Sequence, residues 1–205
     1  PGTLTAASRA RLNLIFAGNP PDLDDAFDRK SNQRIIGDVD DEQWGVVSDL
    51  SWDLAGDYTV RLLSGLRSWD NEQYESDTIY MPRDLIARTG GYESDSQSHE
   101  LQFISPVDQL FGGRFDFVAG LYYFQEDFFI GETSDMGADF CTTLVPAAQR
   151  PTCNASPNKI GATVMEFNQD ATNYAIYAQG NIGLTDTLDL VLGARWTNDE
   201  KEGSY

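Results

Sequence analysis

The feature that most constrains the fold is a series of stretches in which apolar and polar residues alternate. The clearest stretch, residues 188–197, has only apolar residues at its even positions and a single strongly apolar residue, Val191, at its odd positions. Because successive side chains of a β-strand point to opposite faces, this pattern predicts a strand with one apolar and one polar face.

Five further stretches alternate in the same way, and each is bounded by turn-forming residues. They are residues 44–53, 58–67, 96–104, 115–124 and 174–183. We expect the second to run on through Trp69 towards Tyr74, and the fourth to continue to Ile130. The pattern predicts an all-β chain of about six strands arranged as three hairpins.

The connections between these stretches alternate in length. Short turns near 54–57, 106–113 and 185–187 follow long loops at 1–41, 76–94 and 131–163. Within the first loop, residues 4–16 are predicted to form a short helix capped by Thr5. Outer-membrane barrels have short periplasmic turns and long extracellular loops, so the sequence predicts an antiparallel transmembrane β-barrel segment, with residues 1–205 as part of the barrel.

The lengths of the runs and the positions of aromatic residues agree with a membrane barrel. A transmembrane strand needs about 9–11 residues, and the runs are that long or longer. Aromatic residues, which form girdles at both membrane interfaces of such barrels, lie near the ends of the runs. They are Trp44, Trp52, Tyr58, Trp69, Tyr174 and Trp196. The longest stretch without a charged residue is 171–185, shorter than the ~20 residues of a transmembrane helix.

The charge balance excludes several functions. The chain has 33 acidic and 14 basic residues, giving a formal net charge of −19. Such a chain offers no basic surface for nucleic acid and no polybasic membrane anchor. It also disfavours the direct binding of anionic ligands to the loops. The 11 Phe, 9 Tyr and 4 Trp residues argue against intrinsic disorder.

Two successive hairpins resemble the barrel of TonB-dependent outer-membrane receptors. The first consists of SHELQFISP at 98–106 and FDFVAGLYYF at 115–124. The second consists of NYAIYAQG at 173–180, LTDTL at 184–188 and LGARWT at 192–197. The hairpins cover about half of the chain in the family's order. The family's N-terminal plug domain, TonB box and C-terminal aromatic strand are missing here. Because such transporters have 22 strands, we expect this chain to be an internal piece of a longer protein, with a mature, processed chain as the alternative.

The resemblance implies active uptake across the outer membrane of a Gram-negative bacterium. In that family a scarce ligand binds the extracellular loops and the plug, and TonB then pulls on the plug with energy from the inner membrane. The implied partners are the TonB system, acting through a plug domain absent from this chain, outer-membrane lipid and lipopolysaccharide, and a small-molecule or metal-chelate ligand. Ferric siderophores, cobalamin, haem and oligosaccharides remain open as ligands. Two alternatives are a passive porin-like barrel and a soluble acidic β-sandwich that acts as a binding module.

Cys141 and Cys153 are the only cysteines, and both lie within the 131–163 loop. Since the route through the periplasm is oxidising, we predict a disulfide between them, with two free thiols as the alternative. A zinc site is disfavoured, because the only histidine, His99, is distant in sequence and lies on a predicted strand. We expect His99 at a strand end at the outer rim, rather than in contact with a ligand.

No catalytic, cofactor or metal site is predicted, and the chain is not expected to be an enzyme. A single histidine supports no nucleophilic triad, and no carboxylate pair stands out. The acidic sets Asp22/Asp24/Asp25 and Asp38/Asp40/Asp41/Glu42 do not fit the EF-hand loop, so a solvated acidic loop is favoured over a Ca²⁺ site. The Gly-Gly pairs at 90–91 and 112–113 are predicted to form turns, because no P-loop lysine follows them.

Overall fold

The fold is a single six-stranded sheet in which every strand pairs with its neighbours in the chain, in the order β1-β2-β3-β4-β5-β6. The computed structural model describes residues 5–16, 34, 36–75, 82–107 and 109–205. The strands are β1 Asp38–Asp53, β2 Thr59–Tyr74, β3 Ile86–Ile104, β4 Phe115–Met136, β5 Thr163–Thr185 and β6 Leu188–Ser204. The predicted all-β, antiparallel, six-stranded architecture is confirmed, and in the described part of the chain the sheet is open, with β1 and β6 at its edges.

Helical structure is limited to short elements. The predicted N-terminal helix is present as α1, Ala6–Ile15, and the Thr5 hydroxyl accepts a hydrogen bond from the Ser8 backbone N–H at 3.1 Å. Two more short helices, α2 Phe140–Leu144 and α3 Arg150–Ala155, lie between β4 and β5. None of the described helices has the length and apolar character that crossing a membrane would require.

The three short turns form where the sequence predicts them. The β1–β2 turn closes with a 2.7 Å hydrogen bond from Leu54 N to Tyr58 O, and Gly56 and Asp57 adopt positive φ within it. Only residues 186–187 separate β5 from β6. The β3–β4 connection occupies residues 105–114.

The strands extend beyond the predicted runs, and β1, β3, β4 and β5 do so at the end next to a long connection. Residues 86–94 belong to β3 and 131–136 belong to β4, so the predicted loops 76–94 and 131–163 are too long. Asp38–Asp41, assigned to the first loop, begin β1. Gly90 and Gly91 therefore lie within a strand and do not form the predicted turn. Apolar alternation ends before backbone pairing does, so the pattern could not mark these strand ends.

The described contacts divide the chain into two compact units. Unit 1 comprises Pro1–Asp41, Asn71–Tyr92 and Ile130–Glu166. Unit 2 comprises Glu42–Asp70, Glu93–Phe129 and Phe167–Tyr205. The six aromatic residues near the ends of the alternating runs lie in unit 2, and the disulfide lies in unit 1.

Candidate functional site

The sheet of unit 2 has one apolar face, which is clearest where β5 pairs with β6. Leu190 lies opposite Ile182, Leu192 opposite Gly180, and Trp196 opposite Ile176. Directly opposed residues of an antiparallel pair share a face, so the even-numbered residues of both strands form one apolar surface. This surface contains the even positions that the sequence pattern singled out in 188–197.

Aromatic rings border this apolar surface at two levels. Near one level, the rings of Tyr123 and Tyr174 stack at 6.4 Å, and the ring of His99 stacks on Tyr123 at the same distance. At the other level, Phe115 packs beside Phe117 at 5.8 Å. Tyr123 follows Phe115 by eight residues, about 27 Å along a strand, so the two aromatic levels lie at opposite ends of the alternating run of β4.

His99 does not occupy the strand end that was predicted for it. It lies inside β3, which begins ten residues before the predicted run, at Ile86. Its Nδ1 atom is 3.0 Å from the Ser64 hydroxyl oxygen. The side chain is thus tied to neighbouring strands within the aromatic level, and this arrangement accounts for its presence without a ligand.

The opposite face of unit 2 is polar and cross-linked between strands. Arg61 donates two hydrogen bonds to the Asp49 carboxylate, at 2.8 and 2.6 Å, and joins β2 to β1. Arg67 donates to the Gln43 side-chain oxygen at 2.8 Å. Bidentate guanidinium–carboxylate pairs fix both position and orientation, so this polar face is ordered rather than a random set of solvated charges.

A second polar cluster links β3, β5 and β6 on the same face. The Tyr177 hydroxyl donates to Glu100, and Gln102 donates to the Glu100 carboxylate at 2.7 Å. The Arg195 guanidinium lies over the Tyr177 ring, 5.8 Å from its centroid, and 5.3 Å from that of Tyr122. Such cation–π contacts hold a charge on an aromatic surface while leaving its edge free to donate hydrogen bonds.

Gly120 makes room for this cluster. A Cβ atom built at Gly120 would lie 2.5 Å from Cζ of the Tyr177 ring, so the ring packs directly on the glycine backbone. The sequence pattern assigned Gly120 and Tyr177 to two predicted strands of alternating polarity. Such a pattern does not reveal which residues meet across strands. The polar cluster was therefore not predicted, although its members sit at the expected polar-face positions.

In unit 1, Arg88 joins carboxylates from two neighbouring strands. It donates to Glu75 at 2.9 and 2.7 Å, and its other terminal nitrogen lies 3.6 Å from Glu132. The hydrogen bonds to Glu75 raise the pKa of Arg88, and the Tyr92 hydroxyl donates to Glu132 at 2.9 Å, which raises the pKa of Tyr92. These contacts hold β3 to its neighbours within unit 1.

The connection between β4 and β5 is a small folded body in unit 1. Cys141 and Cys153 are joined by a disulfide with their Cα atoms 5.7 Å apart, and Cys141 is almost fully buried. Its neighbour Thr143 is buried too, as is Leu85, which precedes β3. The predicted loop thus carries two short helices and a core of its own.

Asp84 fastens this body to the segment before β3. Its carbonyl accepts the Asp139 N–H at 2.8 Å, and its carboxylate accepts the Ala138 N–H at 3.1 Å. The Gly137 N–H donates to the Leu85 carbonyl at 2.8 Å. Arg34 lies 3.0 Å from the same Asp84 carboxylate. No sequence signal links Asp84 to residues more than fifty positions away, so this contact was not predicted.

Peptide mapping tests the disulfide between Cys141 and Cys153. Peptide mapping of the exported protein without reductant should recover Cys141 and Cys153 in one linked pair of peptides. Loss of the bridge should loosen the loop and leave the barrel wall intact, because the loop-closure contribution of about 3 kcal/mol acts locally. Recovery of two free thiols would contradict the prediction.

The acidic sets do not form a metal site within the described residues. Asp38, Asp40, Asp41 and Glu42 lie along β1, where alternation sends neighbours to opposite faces, and Asp41 accepts a 2.7 Å hydrogen bond from the Asn71 side chain. In the part of the chain that the structure describes, no three His, Cys, Asp or Glu side chains converge as metal ligands. The set Asp22/Asp24/Asp25 lies outside the described residues.

Comparisons with known proteins identify the family of this chain. Residues 2–205 match a protein-family model described as TonB dependent receptor-like, beta-barrel. A comparison with curated proteins gave no significant match. The family match covers both hairpins that carry the resemblance and all six strands.

Proposed function

This chain belongs to the TonB-dependent receptor β-barrel family, and from that premise we propose that it forms part of the wall and the extracellular loops of a receptor for active uptake. In this proposal the receptor lies in the outer membrane of a Gram-negative bacterium. The apolar face of unit 2 contacts lipid, and the opposite polar face lines the lumen. The observation that carries the proposal is this two-faced sheet of consecutive antiparallel strands.

The distribution of side chains supports the assignment of the faces. Leu192 and Trp196 would meet hydrocarbon, whereas Arg61, Asp49, Glu100 and Arg195 would face a polar lumen. Lipid-facing and lumen-facing residues alternate along the strands of membrane barrels, as they do here. Arginine and glutamate would be costly on the lipid side, so the opposite assignment of the two faces is disfavoured.

The proposed ligand is a small molecule or metal chelate, such as a ferric siderophore, held by the extracellular loops. The folded body between β4 and β5 offers a pre-ordered surface for such contacts, because its disulfide and its attachment to Asp84 limit its motion. The net charge of −19 favours neutral or cationic ligand groups over anionic ones at these loops. The other proposed partners are the TonB system, outer-membrane lipid and lipopolysaccharide.

A passive porin-like barrel is the second candidate, and a soluble β-sandwich is the third. A sandwich needs a second sheet packed on its apolar face. Among the described residues no second sheet is present, and Leu192 and Trp196 are exposed on that face. Because the family is one of receptors and transporters, an enzymatic role is not proposed.

Uptake measurements distinguish active transport from diffusion. Cells carrying the full-length receptor as their only route should accumulate radiolabelled ferric siderophore, haem or cobalamin from a panel of such compounds. Accumulation of the transported compound should stop in a strain without TonB and after addition of a proton uncoupler. Uptake that continues unchanged in both conditions would support a passive barrel and contradict the proposal.

A further inference from the structure

A continuous row of aromatic rings runs along one end of the apolar face of unit 2 and leaves the sheet at the β3–β4 turn. Tyr58 stacks on Phe103 at 5.3 Å, Phe103 contacts Phe117 at 6.0 Å, and Phe117 contacts Phe115 at 5.8 Å. The last member is Phe111, whose ring meets Phe115 edge-on at 5.9 Å. Phe111 belongs to the turn and not to a strand.

Phe111 is an unusual residue for its position. Its side chain is 86% exposed, and its φ of +51° lies in the left-handed region that bulky residues avoid. The two residues that follow, Gly112 and Gly113, share this backbone conformation at no steric cost. A glycine or asparagine would suit position 111 better if it served only to close the turn.

A second apolar side chain of this connection is exposed, while Gln109 and Arg114 on the same connection are polar. Val107 is 67% exposed on the same connection. The β5–β6 turn, which carries Asp186 and Thr187, is by contrast polar. Thus Phe111 and Val107, the two most exposed apolar side chains of this connection, lie on the turn that continues the aromatic row.

We propose that the β3–β4 turn is a membrane anchor, in which Phe111 inserts into the phospholipid interface at the short-turn end of the barrel. The proposal rests on the proposed lipid-facing role of the apolar face, with which the ring of Phe111 is continuous through Phe115. Aromatic rings are favoured at membrane–water interfaces, and this environment offsets both the exposure of the ring and the strained backbone that presents it.

A fluorescent probe at position 111 tests the anchor in the full-length receptor, reconstituted into phosphatidylcholine vesicles. Phe111→Cys is labelled with the polarity-sensitive dye NBD, while the two native cysteines stay unreactive in their disulfide. Thr187→Cys in the polar β5–β6 turn is the matched control, and Leu192→Cys on the apolar face is the membrane reference. Vesicles carry lipids with a nitroxide quencher at a shallow or a deep position of the acyl chain.

The dye at position 111 should emit at shorter wavelength than the dye at 187, and the shallow quencher should reduce its emission at least twofold more than the deep one. The dye at 192 should be quenched by the deep lipid. If 192 is quenched but 111 behaves like 187, the anchor is wrong and the assignment of the lipid face stands. If 192 itself escapes quenching, the proposed orientation of the wall fails as well.

Discussion

Arginine in place of Leu192 should strongly reduce assembly of the barrel, whereas arginine at the neighbouring Val191 should leave assembly nearly unchanged. Leu192 lies near the middle of the apolar run of β6, opposite Gly180. On the lipid face near the bilayer midplane, an arginine side chain destabilises the folded barrel by about 2–4 kcal/mol. Heat-modifiable migration of the folded receptor, or its refolding in lipid vesicles, measures the difference.

Val191 is a close control for this substitution. Leu192 is 57% exposed and Val191 58%, so the two side chains make similarly few contacts within the chain, and a difference between them reports their surroundings. Val191 lies opposite Asn181, which donates to Asp116 at 2.6 Å, so an arginine there would join a polar face. Equal tolerance at both positions would indicate that neither face meets lipid. A reversed order would show that the two faces are assigned the wrong way round.

Replacement of Gly137 by alanine should detach the folded body between β4 and β5. A Cβ atom at this position would lie 2.5 Å from the Asp84 carbonyl carbon and would overlap the Asp84 carboxylate. Backbone atoms cannot give way without breaking the hydrogen bonds that Asp84 and Leu85 accept from Gly137 and Asp139. Overpacking of this kind destabilises a folded structure by about 1–3 kcal/mol. Here it should destabilise the attachment of the β4–β5 connection to Asp84.

Hydrogen exchange of residues 137–162 in the folded receptor measures this effect. Faster exchange is expected in Gly137→Ala, together with easier cleavage by added protease. Gly91→Ala is the matched control in the same unit, because a Cβ atom there meets nothing within 4 Å. If both variants exchange like the parent protein, the close approach to Asp84 does not hold the loop, and its proposed pre-ordered surface loses its basis.

The sequence predicted the hairpins and their apolar face well, for a physical reason. In β6 and β5 one face is apolar throughout 188–196 and 174–182, so a period of two is visible without knowledge of the partners. The short turns carry glycine and aspartate, as at Gly56 and Asp57, which favour tight backbone geometry. The family resemblance rested on these same hairpins.

The ends of the strands and the contacts between them were beyond the sequence pattern. Residues 86–94 show no apolar alternation, and their strand is held by Arg88 and Tyr92, which bond to the carboxylates of Glu75 and Glu132. The buried pair Leu85 and Cys141 comes from distant parts of the chain, and only the cysteine gave a local signal. Alternation assigns a residue to a face but does not say which residue it will touch.

Surface labelling of intact cells tests the central claim, that this sheet spans the outer membrane with its long connections outside. Two variants each add one cysteine at an exposed position. They are Ile160→Cys in the β4–β5 connection and Asp186→Cys in the β5–β6 turn. A membrane-impermeant maleimide should label position 160 from outside and position 186 only after the outer membrane is permeabilised. The same rule should hold for protease, which should cleave the β4–β5 connection at 137–162 but not the turns at 54–57 and 185–187. Labelling of position 186 in intact cells would contradict the account, because it would place the short turns outside or remove the membrane from the picture.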